Sequence, residues 1–174
     1  MSDHLTVKTL LRDAVATLNS LSDSARLDAE VLLAEAMAST REFLYAWPDS
    51  DVSAAQSDGF QALVERRESG EPIAYLTGRR EFWSLDLAVT PDTLIPRPET
   101  ERVVEIALEC VAQEGGMYIA DIGTGSGAIA IALAVERPLA HVIATDVSEA
   151  CVDVARTNAA RLDVINLEIR CGDL

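Results

Sequence analysis

The chain has 174 residues, 49% of them hydrophobic, with 29 acidic against 14 basic side chains for a net charge of −15. That size and apolar content suit one or two small globular domains. The charge argues against a stand-alone nucleic-acid binder, because phosphate backbones repel such a surface; an acidic enzyme with a local basic site stays open.

No apolar run approaches the roughly 18 residues a membrane span needs, and the first thirty residues lack a signal-peptide core. Cys110, Cys151 and Cys171 are odd in number and widely spaced. They read as small buried hydrophobes of a reducing cytosol, not as disulfides or zinc ligands. His4 and His141 are too isolated to suggest a metal site. The expected setting is the cytoplasm, with no membrane partner.

Residues 5–70 read as helical throughout. Thr6 can cap a helix whose Val7, Leu10, Leu11, Ala14, Val15 and Leu18 follow the 3.6-residue period. After a polar break at 19–23, Ser24 starts a second helix. Leu27, Val31, Leu32 and Ala34 form its stripe, and Asp28 and Glu30 its acidic first turn. Arg41 to Trp47 predicts a short helical turn stopped by Pro48. Ser53 opens a fourth helix carrying Phe60, Leu63 and Val64 to a stop at Gly70. Four short amphipathic helices imply a small bundle over 1–72. Its apolar stripes read as core, with a docking surface for a macromolecular substrate as the functional alternative.

Residues 73–95 read as an inter-domain linker containing a small β-hairpin, with Gly78 marking a turn and an imperfect strand-like alternation from Phe82 to Val89. The stretch Thr93-Leu94-Ile95-Pro96-Arg97-Pro98-Glu99-Thr100-Glu101 leads into a helix through about Gln113, with Pro98 at its first position. Arg97, between two prolines, is held extended and is a candidate to face a cofactor cleft.

Residues 96–174 alternate helix and strand, which specifies a parallel sheet. The strand Met117 to Ile122 contains Asp121 and runs into Gly123-Thr124-Gly125-Ser126-Gly127, then into an Ala- and Leu-rich helix. Alternate glycines permit the sharp turn and leave bare backbone against which a ligand can lie. Dinucleotide folds place their third glycine three residues after the second; here the spacing is G-x-G-x-G. A second strand, His141 to Asp146, ends in a carboxylate about 20 residues past the glycines, where an acid accepts the ribose hydroxyls of a bound adenosine. A surface turn with Asp146 as a helix cap is the bland alternative. Ser148 caps the next helix through about Arg161, and a third strand covers 166–171, before Gly172-Asp173-Leu174.

The closer glycine spacing with the acid in front resembles motif I of Rossmann-like S-adenosylmethionine-dependent methyltransferases. Adding Gly70-Glu71-Pro72-Ile73-Ala74-Tyr75-Leu76-Thr77-Gly78, Glu81-Phe82-Trp83 and Leu94 to Glu101, nearly the whole chain resembles the release-factor glutamine methyltransferases, the PrmC/HemK family. The resemblance implies an α/β protein: an N-terminal helical bundle that docks release factors, a hairpin linker, and the first half of a methyltransferase domain. It implies methylation of the side-chain amide nitrogen of the glutamine in the Gly-Gly-Gln motif of peptide chain release factors. Gly123, Thr124, Gly125, Ser126 and Gly127 would wrap the methionine part of S-adenosylmethionine, and Asp146 would hold its ribose. Asp173 would meet the adenine amino group, with Leu174 beside the ring. A monomer is expected.

The family's Asn-Pro-Pro-Tyr substrate clamp follows a fourth strand and is not among these 174 residues. The expectation is that this chain is part of a longer protein and transfers negligible methyl by itself. Its first strand is expected to lie open along an edge. An adenine-N6 or cytosine-N4 methyltransferase, a nucleotide-dependent oxidoreductase and a non-catalytic release-factor-binding module are the competing readings.

Overall fold

In a computed structural model, residues 5–20, 22–111 and 116–173 are described. Two compact units divide between Thr77 and Gly78.

The first unit holds helices α1 (Val7–Leu18), α2 (Ala25–Ala36), α3 (Arg41–Ala46), α4 (Ala54–Glu68) and α5 (Ile73–Thr77). Local chemistry sets most ends. Thr6 caps α1 by accepting from the Thr9 N–H while Thr9 reaches back to the Thr6 N–H, and Ser53 and Gln56 repeat the arrangement on α4. Gly70, at φ +97°, closes α4: its own N–H bonds to the Arg67 carbonyl, and the next N–H, of Glu71, bonds to that of Arg66. Val7, Leu11, Leu18, Ala29, Leu32, Leu33, Leu44 and Phe60 build the core.

Several expectations need correction. Among the described residues the bundle has five helices, not four: α5 occupies part of the expected linker. Ser24 makes no side-chain cap; its hydroxyl donates to Asp28 Oδ1 instead. Leu27 is exposed, while Asp28 and Glu30 are buried. Both acids remain there because they are satisfied. Asp28 accepts from Ser22, Ser24 and Arg67, the last at 2.9 Å. Glu30 accepts from Arg26, from Arg41 at 2.8 Å and from the Tyr45 hydroxyl at 2.6 Å.

The second unit begins with a hairpin, β1 (Arg79–Phe82) and β2 (Leu85–Ala88). Its two-residue turn, Trp83-Ser84, has φ of +53° and +58°, the backbone of a tight hairpin but without the usual asparagine or glycine. A single 3₁₀ turn at Pro98–Thr100 then leads into α6 (Glu101–Cys110), so the expected helix from Pro98 is split. Its expected end at Gln113 lies outside the described residues. A three-stranded parallel sheet follows: β3 (Tyr118–Ile122), β4 (His141–Asp146) and β5 (Leu167–Cys171), with α7 (Ala128–Glu136) and α8 (Glu149–Arg161) between them. The order β3-β4-β5 puts β4 in the centre and β3 at an edge. Ile119 packs with Ala130, Ala134, Val142 and Ala144, while Tyr118, Ala120 and Ile122 alternate onto an exposed side. The cysteine expectation holds for Cys151 alone; Cys110 and Cys171 are exposed. No helix among the described residues is long and apolar enough to cross a membrane.

Candidate functional site

The parallel strands all end on one side, and the glycine loop, Asp146 and the 171–173 segment lie together at those carboxyl ends. Open α/β sheets place their ligands there. The register fixes the arrangement. Ile122 pairs with Thr145 and Asp146 with Cys171, and the Gly172 N–H donates to the Asp146 carbonyl at 3.0 Å.

The loop is held from several directions. Gly123, Gly125 and Gly127 all take positive φ, +77°, +56° and +84°. Their reasons differ. A Cβ on Gly123 or Gly125 would meet nothing within 4 Å, so that backbone is open; one on Gly127 would strike Ile131 Cδ1 at 2.9 Å and Ala155 Cβ at 3.1 Å. Gly127 therefore serves the close packing of α7 and α8, while the first two glycines leave a bare surface.

The N–H groups of Gly123, Thr124, Gly125 and Gly127 are engaged by the protein itself. Those of Gly123 and Thr124 donate to the Thr145 carbonyl at 2.8 and 2.9 Å, and that of Gly125 donates to Asp146 Oδ2 at 2.9 Å. The other oxygen of Asp146, Oδ1, accepts the Ser148 N–H at 3.0 Å. Asp146 thus faces the loop, and each of its oxygens keeps a lone pair for a further donor. Ser148 caps α8 by accepting from the Cys151 N–H, so Asp146 is not needed for that task.

Two residues to which the sequence assigned no role at the site complete it. Asp121, at the end of β3, accepts the Thr124 hydroxyl at 2.7 Å. Burial pushes its carboxyl above the ordinary range, opposed by the hydrogen bonds from Thr124 and the Ala130 N–H and reinforced by the nearby Asp146 charge. Asn158, fully buried on α8, donates from Nδ2 to the Ser126 carbonyl at 2.9 Å and pairs with both backbone groups of Ala88. Asp121 was legible as an acid before the glycines. The signal for Asn158 was a carboxamide among Ala155 and Ala159 on the buried face of a helix.

Of the other candidates, Thr124 and Ser126 are buried within the loop. Asp173 is exposed at the end of the described chain, and Leu174 lies outside the described residues. Arg97 is exposed and extended, at φ −89° and ψ 147°, ahead of the 3₁₀ turn. His4 lies outside the described residues, among which no group of three or more His, Cys, Asp or Glu could hold a metal ion.

A parallel sheet, a strand–glycine loop–helix unit and an acid at the next strand end define a methyltransferase domain of Rossmann-like fold, and residues 113–174 match the family model of a methyltransferase domain. Residues 9–78 match that of the PrmC N-terminal domain. These two matches, in this order, are what the resemblance to the PrmC family implies. A release factor glutamine methyltransferase of Coxiella burnetii is 44% identical over 169 residues, covering 97% of this chain and 61% of that protein. The protein of the same name from Escherichia coli K12 is 46% identical over 163 residues, covering 94% of this chain and 58% of its own length. One from Xylella fastidiosa (strain 9a5c) is 49% identical over 148 residues, 85% of this chain and 54% of the relative. The chain therefore spans somewhat over half the length of the curated relatives it matches.

Proposed function

We propose that this chain binds S-adenosylmethionine at the glycine loop and Asp146, as part of an enzyme that methylates the side-chain amide of a glutamine in peptide chain release factors. The observation that carries the cofactor reading is the occupation of the loop's N–H groups. A loop built for a pyrophosphate aims its N–H groups at the ligand. Here those of Gly123, Thr124 and Gly125 are spent on Thr145 and Asp146. Two carboxylates, Asp121 and Asp146, also bracket the loop. That arrangement suits a neutral or cationic ligand and disfavours the dinucleotide of an oxidoreductase.

The residues present fit the cofactor. The bare backbone at Gly123 and Gly125 leaves room for its methionine part, and Asp146 retains acceptor capacity for ribose hydroxyls. S-adenosylmethionine supplies an electrophilic methyl group on a positively charged sulfur. Asp121 fixes Thr124, Asp146 fixes Gly125, and Gly127 lets α7 approach α8, so the loop is held in shape before a ligand arrives.

The relatives' shared name supports a release factor as substrate, and the bundle over residues 9–78 supports a docking role for the first unit. A cytoplasmic monomer is the simplest setting for an enzyme acting on a translation factor. Isothermal titration of the chain with S-adenosylhomocysteine, and separately with NADH, tests the cofactor reading. Binding of the first and not the second is expected, with loss in Asp146→Ala; the converse pattern overturns it. Incubation of that enzyme with a release factor and S-adenosylmethionine tests the substrate: methyl on a glutamine side-chain amide is expected, and an unmodified factor overturns the reading.

A further inference from the structure

We infer that Asn158 is a positioning residue, tying the β1–β2 hairpin to the glycine loop so that the hairpin helps set cofactor affinity. This rests on the cofactor reading above. Asn158 has no exposed surface and sits within α8, where asparagine is a poor helix former and an unsatisfied carboxamide is costly. Its retention there needs a reason, and its partners supply one. The Oδ1 atom accepts the Ala88 N–H at 2.7 Å, while Nδ2 donates to the Ala88 carbonyl and to the Ser126 carbonyl, each at 2.9 Å. The side chain imitates a strand neighbour for the end of β2 and gives its remaining hydrogen to the loop.

Three segments 32 and 70 residues apart thereby share one carboxamide. Ser126 lies between Gly125, fixed by Asp146, and Gly127, fixed by packing against α8. Asn158 supplies the third anchor on the same short stretch, and it is the one that also binds the hairpin. Displacing the hairpin would pull the carboxamide and release the Ser126 carbonyl. Leucine, although apolar and of similar size, could serve neither partner.

The test is the affinity of the chain for S-adenosylhomocysteine by calorimetry in Asn158→Asp and Asn158→Ala, beside Val104→Ala as a control. Val104 is fully buried on α6 in the hydrophobic core of the second unit, and its apolar side chain can make no hydrogen bond to the loop. Both Asn158 variants are expected to bind about tenfold more weakly, the scale of one or two lost buried hydrogen bonds. The control should lose thermal stability and bind as the unsubstituted chain does. Unchanged affinity in the Asn158 variants, with stability lowered as in the control, would make the residue structural only and overturn the inference.

Should neither variant fold, the side-chain amide hydrogens of Asn158 in the unsubstituted chain decide the matter. Slower exchange on saturation with S-adenosylhomocysteine supports the link, and no change overturns it. No binding by the unsubstituted chain overturns the cofactor reading itself, an outcome distinct from binding that is indifferent to Asn158.

Discussion

The Thr124 hydroxyl donates to Asp121 Oδ2 at 2.7 Å, joining the last polar residue of β3 to the loop that follows it. This bond lets a half-buried carboxylate exist beside a second one, Asp146, whose charge opposes it. Thr124→Val keeps the shape and removes the donor. It is expected to destabilise the second unit by about 1–2 kcal/mol, as for a buried acceptor left short of a partner, read as a lower urea midpoint.

Asp121 also predicts a pH dependence. Its folded pKa is raised above the ordinary 3.8 by burial, so the folded state holds the proton more tightly than the unfolded chain. The contribution to stability is therefore fully present below 3.8 and is lost as pH rises through the folded pKa. Asp121→Asn should remove this slope. Urea titrations at a series of acidic pH values would show wild type losing ground to the variant as the pH climbs.

Glu30 has the opposite sign. Burial disfavours its charge, but the bonds from Tyr45, Arg41 and Arg26 together outweigh that and hold its pKa below the ordinary 4.5. Its stabilisation is present above 4.5 and is lost as pH falls through the folded pKa. Glu30→Gln should cost about 2 kcal/mol at neutral pH, and the gap to wild type should close in acid. Thermal melts of the first unit's helical signal, compared at neutral and acidic pH, would show this.

The two kinds of loop glycine should separate cleanly. Gly127→Ala forces a methyl against Ile131 and Ala155 at a left-handed backbone, for an expected loss of about 3 kcal/mol. Gly125→Ala has open space, so about 1–2 kcal/mol of backbone strain is its whole folding cost. It places a methyl on the bare surface, however, and should abolish S-adenosylhomocysteine binding in a chain that still folds.

The hairpin turn offers a gain. Ser84 holds φ +58° without the freedom of glycine. Ser84→Gly should stabilise the second unit by up to about 1 kcal/mol, visible as a rise in melting temperature. Trp83 is less replaceable, because its indole Nε1 donates to Glu136 at 2.8 Å.

What the sequence showed and what it hid follow from the range of the interactions. The glycine loop and Asp146 were legible because strand, turn, helix and acid each carry a local signal at fixed spacing. Thr6, Ser53, Gly70 and Ser148 were legible for the same reason, as caps acting over three or four residues. The segment Ile73–Thr77 is too short to show a helical period, and its Pro72-Ile73 start resembled a linker. Trp83 and Ser84 carry none of the usual turn residues, so the hairpin was expected without its tight turn. Ser24 looked like a cap and instead serves Asp28. Glu30 looked like first-turn decoration and is buried because Arg41 and Tyr45, 11 and 15 residues on, come to meet it. Asn158 acts across 70 residues, a distance at which periodicity says nothing.

Cys171 is exposed and stands in register with Asp146, one strand across from the acid of the loop. The chain thus carries its own attachment point for an optical reporter beside the proposed seat of the cofactor. With Cys110 changed to serine and Cys151 shielded in the interior, a maleimide dye would mark a single place. Its brightness could then follow ligand arrival in real time, without waiting for any reaction to be catalysed.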